Sequence, residues 1–373
     1  MKNFRSIIAG LAALTMVFSF VSCGDSESSD AGNNEKNYSA DEGASDTVKL
    51  EKNSFEIGYL NSTAHLLAFV AQEEGYFAEE GLKVTLTQFS SAAELATGLE
   101  SGKLDVAFIG SVPSITFQSQ GHDLTIFGGA MTNGHGYVIK PEYTDGLSDW
   151  DISILKGRNV ASVKNSVQDA ELQILLKNAD IEIGEGEEQV NIVYFDSQKD
   201  AYNALQNASI DAASVYSPYA SLAEGAGYSI VYRCSEEETL QNQPCCRQVA
   251  ATSALSANPN SYNAFERALI KAYKFTQENE DKTIKDVKVY IDIDEDYIRT
   301  EVYGGYRTSV PDPDKQGTVE LKNVIVELGY TDDYDIEPLY NTAIYENALA
   351  GLLEEFPDDS IYKELQEHFD QYE

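Results

Sequence analysis

The sequence predicts an α/β protein folded as two similar lobes that face each other across a ligand cleft. Three observations carry this. Between Phe55 and Pro113, apolar strand-like runs alternate with helix-like runs in the order strand, helix, strand, helix, strand. That order builds a parallel sheet covered by helices. A second set of residues then answers the first at a fixed offset of 106: Phe89, Ser91, Leu99, Asp105 and Ala107 recur as Phe195, Ser197, Leu205, Asp211 and Ala213. Finally, apolar runs within 124–139 and at 245–253 fall where a chain shared between two lobes has to cross.

Each element of the first half has a local reason. Phe55–Leu60 is an apolar strand, and Ala64–Glu74 follows as a helix burying Leu66, Leu67 and Val70. Gly75 ends it, because glycine readily takes the left-handed cap. Leu82, Val84 and Leu86 alternate with Lys83, Thr85 and Thr87, so this strand has a wetter face and belongs near an edge. Ser91 and Glu94 have the spacing of a capping box, and Gly102 closes that helix. Leu104–Gly110 is the third strand. It leads into Ser111 and Pro113, as a later strand leads into Ser217 and Pro218; in both places serine is expected to cap a helix with proline in its first turn. Leu124–Ala130 and Tyr137–Ile139, interrupted by Met131–Gly136, read as a crossover.

The second lobe is expected to begin near Asp149. Leu155–Val163 is a turn and strand, Asn165 and Ser166 open a helix, and Leu172, Leu175 and Leu176 give it an apolar stripe. Val190–Phe195 reads as a short strand of the fully buried kind and Tyr228–Arg233 as another, after which Cys245–Ser253 returns the chain to the first lobe. From Asn260 the chain is mainly helical: Tyr262–Glu278, a weaker region at Val287–Tyr303, Pro313–Leu328, and two helices within Ala343–Tyr372. These are expected to pad the first lobe. The expected division is 53–135 with 250–373 for lobe one and 136–249 for lobe two.

Lys2 and Arg5 precede an apolar run, Ile7–Val21, that is too short to span a bilayer, so 1–22 reads as an export leader. Phe20-Val21-Ser22-Cys23-Gly24 resembles the lipobox of bacterial lipoproteins, which implies acylation of Cys23 at the mature N-terminus; a plain secretory signal with an incidental cysteine is the other reading. Residues 23–52 hold almost nothing apolar and are expected to form a flexible tether. The formal charge is −36, from 62 acidic and 26 basic side chains. Such acidity argues against nucleic acid and against docking on an anionic bilayer.

Ile57-Gly58-Tyr59, the run Glu74–Gly81, the run Ser101–Gly110, Pro113 and Leu155-Lys156-Gly157 together resemble the nitrate, sulfonate and taurine solute-binding proteins of ABC importers, which are related to binders of the thiamine pyrimidine precursor. The resemblance extends over about 54–350. It implies the periplasmic-binding-protein fold (type II) with two crossover strands, a monomer without cofactor, and partners in an ABC permease and its ATPase. Carried over by position, it implies ligand contacts from Asn61, Ser62, His65, Ser90, Ser91, Gly110 and Ser111 of lobe one. Lobe two would add Ser166, Gln168, Tyr216, Ser217 and Tyr219. His135 and the stretch Cys245–Arg247 would form the floor. Ser111 stands where relatives often carry an acidic residue, which puts a ligand amine at that place in doubt.

Several of these side chains have a second reading. Arg247 could hold an anion through its forked donors or make a surface ion pair. His65 and His135, two of four histidines, could be polar loop residues, and Tyr216 and Tyr219 could simply pack among 23 tyrosines. Cys234 could join Cys245 or Cys246 in a disulfide, or the Cys pair could touch ligand. Metal binding is not expected, since adjacent cysteines lack the C-x-x-C spacing and no histidine cluster accompanies them. Asp292, Asp294 and Asp296 resemble the start of a calcium loop, but Tyr297 and Tyr303 occupy its glycine and glutamate positions. No G-x-S-x-G, H-E-x-x-H or phosphate-binding Gly-Lys-Ser loop is present.

The expected function is therefore a lipid-anchored, non-enzymatic solute-binding component of an importer, taking a small organic anion such as an alkanesulfonate, taurine or nitrate. The alternatives are a binder of a thiamine pyrimidine precursor, a sensing subunit, or an enzyme like the fungal relative that makes that pyrimidine.

Overall fold

Among the described residues eleven strands make two sheets, and each parallel part follows from the alternation seen in the sequence. In chain order they are β1 (Ser54–Leu60), β2 (Lys83–Phe89), β3 (Val106–Gly110), β4 (Leu124–Asn133), β5 (His135–Ile139), β6 (Asn159–Val163), β7 (Asn191–Phe195), β8 (Ala212–Tyr216), β9 (Ser229–Arg233), β10 (Pro244–Ala251) and β11 (Arg307–Thr308). A computed structural model of the protein describes residues 49–236, 238–240 and 242–373. The leader, Cys23 and most of the expected tether lie outside the described residues.

The first sheet has the order β11-β4-β10-β3-β1-β2 and the second β7-β6-β8-β5-β9. The two-lobed α/β architecture is thus present, with β2 at an edge as its alternation implied. The 106-residue offset holds to the residue. β8 has the bounds of β3 moved by that offset, and so do the helices Ala92–Glu100 and Gln198–Gln206. Asp105 and Asp211, ahead of β3 and β8, even share a task. Each carboxylate accepts a main-chain N–H of the neighbouring strand, from Glu56 at 2.9 Å and from Asn159 at 3.0 Å.

Alternation across the pleat divides the cores. In the first sheet Phe55, Ile57 and Phe108 pack under the helices Leu66–Glu73 and Pro259–Glu278, with the Phe55 and Phe265 rings stacked 5.9 Å apart. Ala107, Ile109 and Val249 face the opposite way, onto Leu95, Leu99, Leu321 and Ile325. In the second sheet Tyr137 and Ile139 meet Leu172, Leu175 and Leu176, while Val138 meets Ala201 and Leu205. Each such fully buried aliphatic or aromatic side chain contributes about 1.5–3 kcal/mol. The weak region at Val287–Tyr303 is resolved into the helices Glu280–Tyr290 and Glu295–Tyr303, and the tail into Ala343–Glu355 and Ser360–Tyr372. Among the described residues no helix is long and apolar enough to cross a membrane.

Two expectations need correction. β7 is an edge strand and only half-buried, with Tyr194 43% exposed. Its apolar run pairs on one side only. The second crossing also comes early. β9 ends at Arg233 in the second sheet, whereas β10 already lies between β4 and β3 in the first, so 244–249 belong with lobe one. A central strand is covered on both faces and reads as a continuous apolar run, as a crossover would. The first crossing falls between β4 and β5. Asn133 and Gly134 turn it with φ of 61° and 88°, and a Cβ on Gly134 would come 2.7 Å from the Met131 methyl group.

Candidate functional site between the lobes

The C-terminal ends of β1, β2 and β3 in one lobe and of β6, β7 and β8 in the other open onto one cavity of about 310 Å³. This is where open α/β sheets bind ligands. Of the residues expected at the site, Ser62, His65, Ser90, Ser91, Gly110, His135, Ser166, Gln168 and Tyr216 line it.

Three helices point their first turns into this space. Ser91 Oγ accepts from Glu94 N at 3.3 Å while Glu94 accepts from Ser90 N at 2.9 Å, the capping box read from the sequence. Ser166 Oγ accepts from Asp169 N and Ser197 Oγ from Asp200 N, both at 3.2 Å. Capping uses these hydroxyls as acceptors, so the Ser91 and Ser166 O–H groups can still donate to a ligand beside the main-chain N–H groups of the first turns, where Ala92, Ala93, Val167, Gln168 and Gln198 line the cavity. Ser197 was not among the expected contacts, although its offset from Ser91 is 106.

Asn61, Ser111, Ser217, Tyr219 and Arg247 do not line the cavity. Asn61 Nδ2 donates to the Tyr219 hydroxyl at 3.3 Å, and Ser62 Oγ donates to the Ser217 carbonyl at 2.9 Å, so these residues join the lobes. Neither Ser111 nor Ser217 caps a helix; those positions are taken by Gly110 and Pro218. Ser111 Oγ instead donates to the Cys245 carbonyl at 3.1 Å. Arg247 is 0% exposed, and its guanidinium lies 3.8 Å from Asp314, neither on the surface nor on the cavity wall.

The crossing strands supply a connected floor. Glu171 lies 2.9 Å from His135 Nδ1, His135 Nε2 is 3.0 Å from the Cys245 sulfur, and the Cys245 and Cys246 sulfurs are 3.4 Å apart. His135 N donates to the Cys234 sulfur at 3.4 Å. Burial opposes the His135 charge, but the Glu171 carboxylate overcomes it and holds the imidazolium well above the usual histidine range. Ligand atoms of His135, Glu171 and Cys234 lie within 4.8 Å of one another, so residue types suited to a divalent cation gather here, although the ion pair already neutralises two of them. The three cysteines among the described residues, Cys234, Cys245 and Cys246, are free thiols. His65 Nδ1 accepts from Leu60 N at 3.3 Å and its ring stacks on Phe108, while Nε2 is buried with no partner but Cys246 among the described residues.

Lys164 and Asp196 also line the cavity and were missed. Lys164 makes no ion pair among the described residues and has the Tyr194 ring at 5.9 Å. Each follows a strand and precedes a serine-capped helix by a few residues, a pattern too common in surface loops to mark a site.

The comparisons agree with this geometry. A Bacillus subtilis (strain 168) protein named as a binding protein, YtlA, is 26% identical over 251 residues, 66% of this chain and 73% of its own length. A protein of the same organism named for binding aliphatic sulfonates is 32% identical over 184 residues, 48% of this chain and 52% of its own length. A 4-amino-5-hydroxymethyl-2-methylpyrimidine phosphate synthase of Aspergillus parasiticus matches a third of its length, at 26% identity over 116 residues and 31% of this chain. Among solved structures, the periplasmic nitrate-binding protein NrtA of Synechocystis PCC 6803 superposes with a TM-score of 0.71 at 15% identity, covering 81% of this chain and 90% of that one, a likeness of fold. Residues 48–289 match one family description, and the chain belongs to the NMT1-like family.

Proposed function

We propose that this protein is the solute-binding component of an ABC importer, that it closes its two lobes on a small organic anion of the sulfonate class, and that it presents this solute to a permease. The observation that carries the reading is the convergence of Lys164 with three helix first turns on one cavity between the lobes. Main-chain N–H groups and an ammonium together suit a compact tetrahedral anion. Asp196 on the same wall offers an acceptor for an amine, which favours an aminosulfonate such as taurine, and a cavity of about 310 Å³ is much larger than a nitrate. The acidic body opposes anion approach, but salt screens it beyond about 8–10 Å, so local donors decide. The sulfonate-named relative supports the same class.

Export as a lipoprotein anchored through Cys23, and action as a monomer without catalysis, complete the reading. Calorimetry of the purified protein against ethanesulfonate, taurine, nitrate and an aminopyrimidine tests it. Sulfonate binding with a dissociation constant in the micromolar range or tighter is expected; binding of the pyrimidine alone would replace this solute class with a thiamine precursor.

A further inference from the structure

Cys245 and Cys246 are neighbours on a strand, where successive side chains normally point to opposite faces. Here the pairing of β10 with β4 shifts register between Pro244 and Cys246 and again between Cys246 and Arg247. Such bulges re-aim side chains. The Ser111 hydroxyl fixes the Cys245 carbonyl in this bend. As a result both residues line the cavity, with their sulfurs 3.4 Å apart.

The groups around the two sulfurs differ. The Cys245 sulfur is buried against His135 Nε2, which Glu171 holds from behind. Cys246 is less buried and lies beside His65, whose Nε2 has no other partner. The Arg307 guanidinium acts on both sulfurs. The hydrogen bond from Cys245 holds the Cys246 thiol well below the usual range, helped by His65 and His135, while burial pushes Cys245 up. Cys246, the more exposed sulfur, is therefore placed to meet an incoming disulfide, and Cys245, buried behind it at 3.4 Å, to resolve the adduct.

We propose that Cys245 and Cys246 form a thiol–disulfide exchange site in the cavity floor, with Cys246 attacking, Cys245 resolving, and a small organic disulfide as the co-substrate. The site goes beyond solute binding and does not depend on which solute is bound. In the first step the Cys246 thiolate attacks one sulfur of R–S–S–R. A mixed disulfide forms, and the expelled thiolate takes a proton from solvent. In the second, Cys245 attacks the Cys246 sulfur, and its proton leaves with the second thiol as RSH. The two cysteines lose two electrons together, and the co-substrate gains them as two thiols. Adjacent Cα atoms stand only about 3.8 Å apart, below the usual 4.4–6.8 Å of disulfides, so the closed ring is strained and easily reopened by excess thiol. The site therefore cycles rather than cross-linking the fold permanently.

The test uses the full-length chain with Cys23→Ser, so that only Cys234, Cys245 and Cys246 can react, and 2-hydroxyethyl disulfide as the probe. Intact mass and peptide mapping should show loss of two hydrogens, a Cys245–Cys246 link, no lasting adduct, and two equivalents of mercaptoethanol released. Cys245→Ser should stop at a mixed disulfide on Cys246. Cys246→Ser should react at least about tenfold more slowly, and Cys234→Ser should behave as the parent. A lasting adduct on the parent, a link through Cys234, or an unchanged rate in Cys246→Ser would overturn the proposal. Should either variant fail to fold, limited alkylation of the parent with iodoacetamide at pH 6 decides the same point. Cys246 must be labelled first, and prior labelling of Cys234 or Cys245 counts against the site.

Discussion

Tyr330, packed with lobe one, donates its hydroxyl to Asp169 Oδ2 of lobe two at 2.6 Å. The Tyr330 hydroxyl oxygen in turn accepts from Gln173 Nε2 at 2.6 Å, and Lys177 pairs with Glu327 alongside. Asp169 lies in the first turn of the helix capped by Ser166, whose opening residues line the cavity. This contact ties the lobes together next to the ligand space. A hydrogen bond to a charged group is worth about 1.5–3 kcal/mol. Tyr330→Phe should therefore weaken solute binding about tenfold and raise the radius of gyration of solute-free protein in small-angle scattering. Unchanged values for both would mean that the latch does not govern closure.

Lys164 is the cation that can reach a bound anion without breaking an ion pair among the described residues. Lys164→Met should reduce sulfonate affinity about tenfold or more by calorimetry, and added salt should then matter less. The melting temperature should hardly move, because the ammonium holds no other part of the fold.

Arg247 should behave in the opposite way. Its guanidinium is buried beside Asp314 with no hydrogen-bond partner among the described residues. Arg247→Met leaves Asp314 without the guanidinium beside it and should cost about 3–5 kcal/mol in urea unfolding. Solute affinity, measured where the variant is folded, should stay within about twofold of the parent. A large loss of affinity at unchanged stability would return Arg247 to the site.

His135 sets a pH dependence. Its folded-state pKa is raised by Glu171 against the cost of burial. The stabilisation is therefore complete below the unfolded value of about 6.5 and is lost as pH rises through the folded value. Glu171→Gln removes the partner charge. The stability difference between parent and variant should be about 3–5 kcal/mol near pH 6 and should shrink steadily above it. A difference that does not change with pH would rule out a charged His135.

For the native protein, mass spectrometry of the N-terminal peptide should find a lipid-modified Cys23 as the first residue. An unmodified Cys23, or cleavage elsewhere, would remove the proposed anchor.

The local pattern of the chain determined the alternation of strands and helices, the 106-residue repeat and the helix starts at Ser91 and Ser166, but not the third first turn at the cleft, capped by Ser197. The caps depend on residues a few positions apart, as Ser91 with Glu94. Such spacing survives in sequence, whereas the nine expected contacts that line the cavity came from the family resemblance carried over by position. The tertiary structure decided which way individual side chains point. Cys245, Cys246 and Arg247 are consecutive, yet the bulges of β10 send two thiols to the cavity and the guanidinium to Asp314. Register between strands far apart in the chain sets that choice, and no residue within β10 announces it. The same holds for the floor, where Glu171, His135, Cys234 and Cys245 meet from a helix and three separate strand ends. Their contacts exist only after both sheets have formed and the crossings have closed, because each partner is supplied by a different long-range pairing.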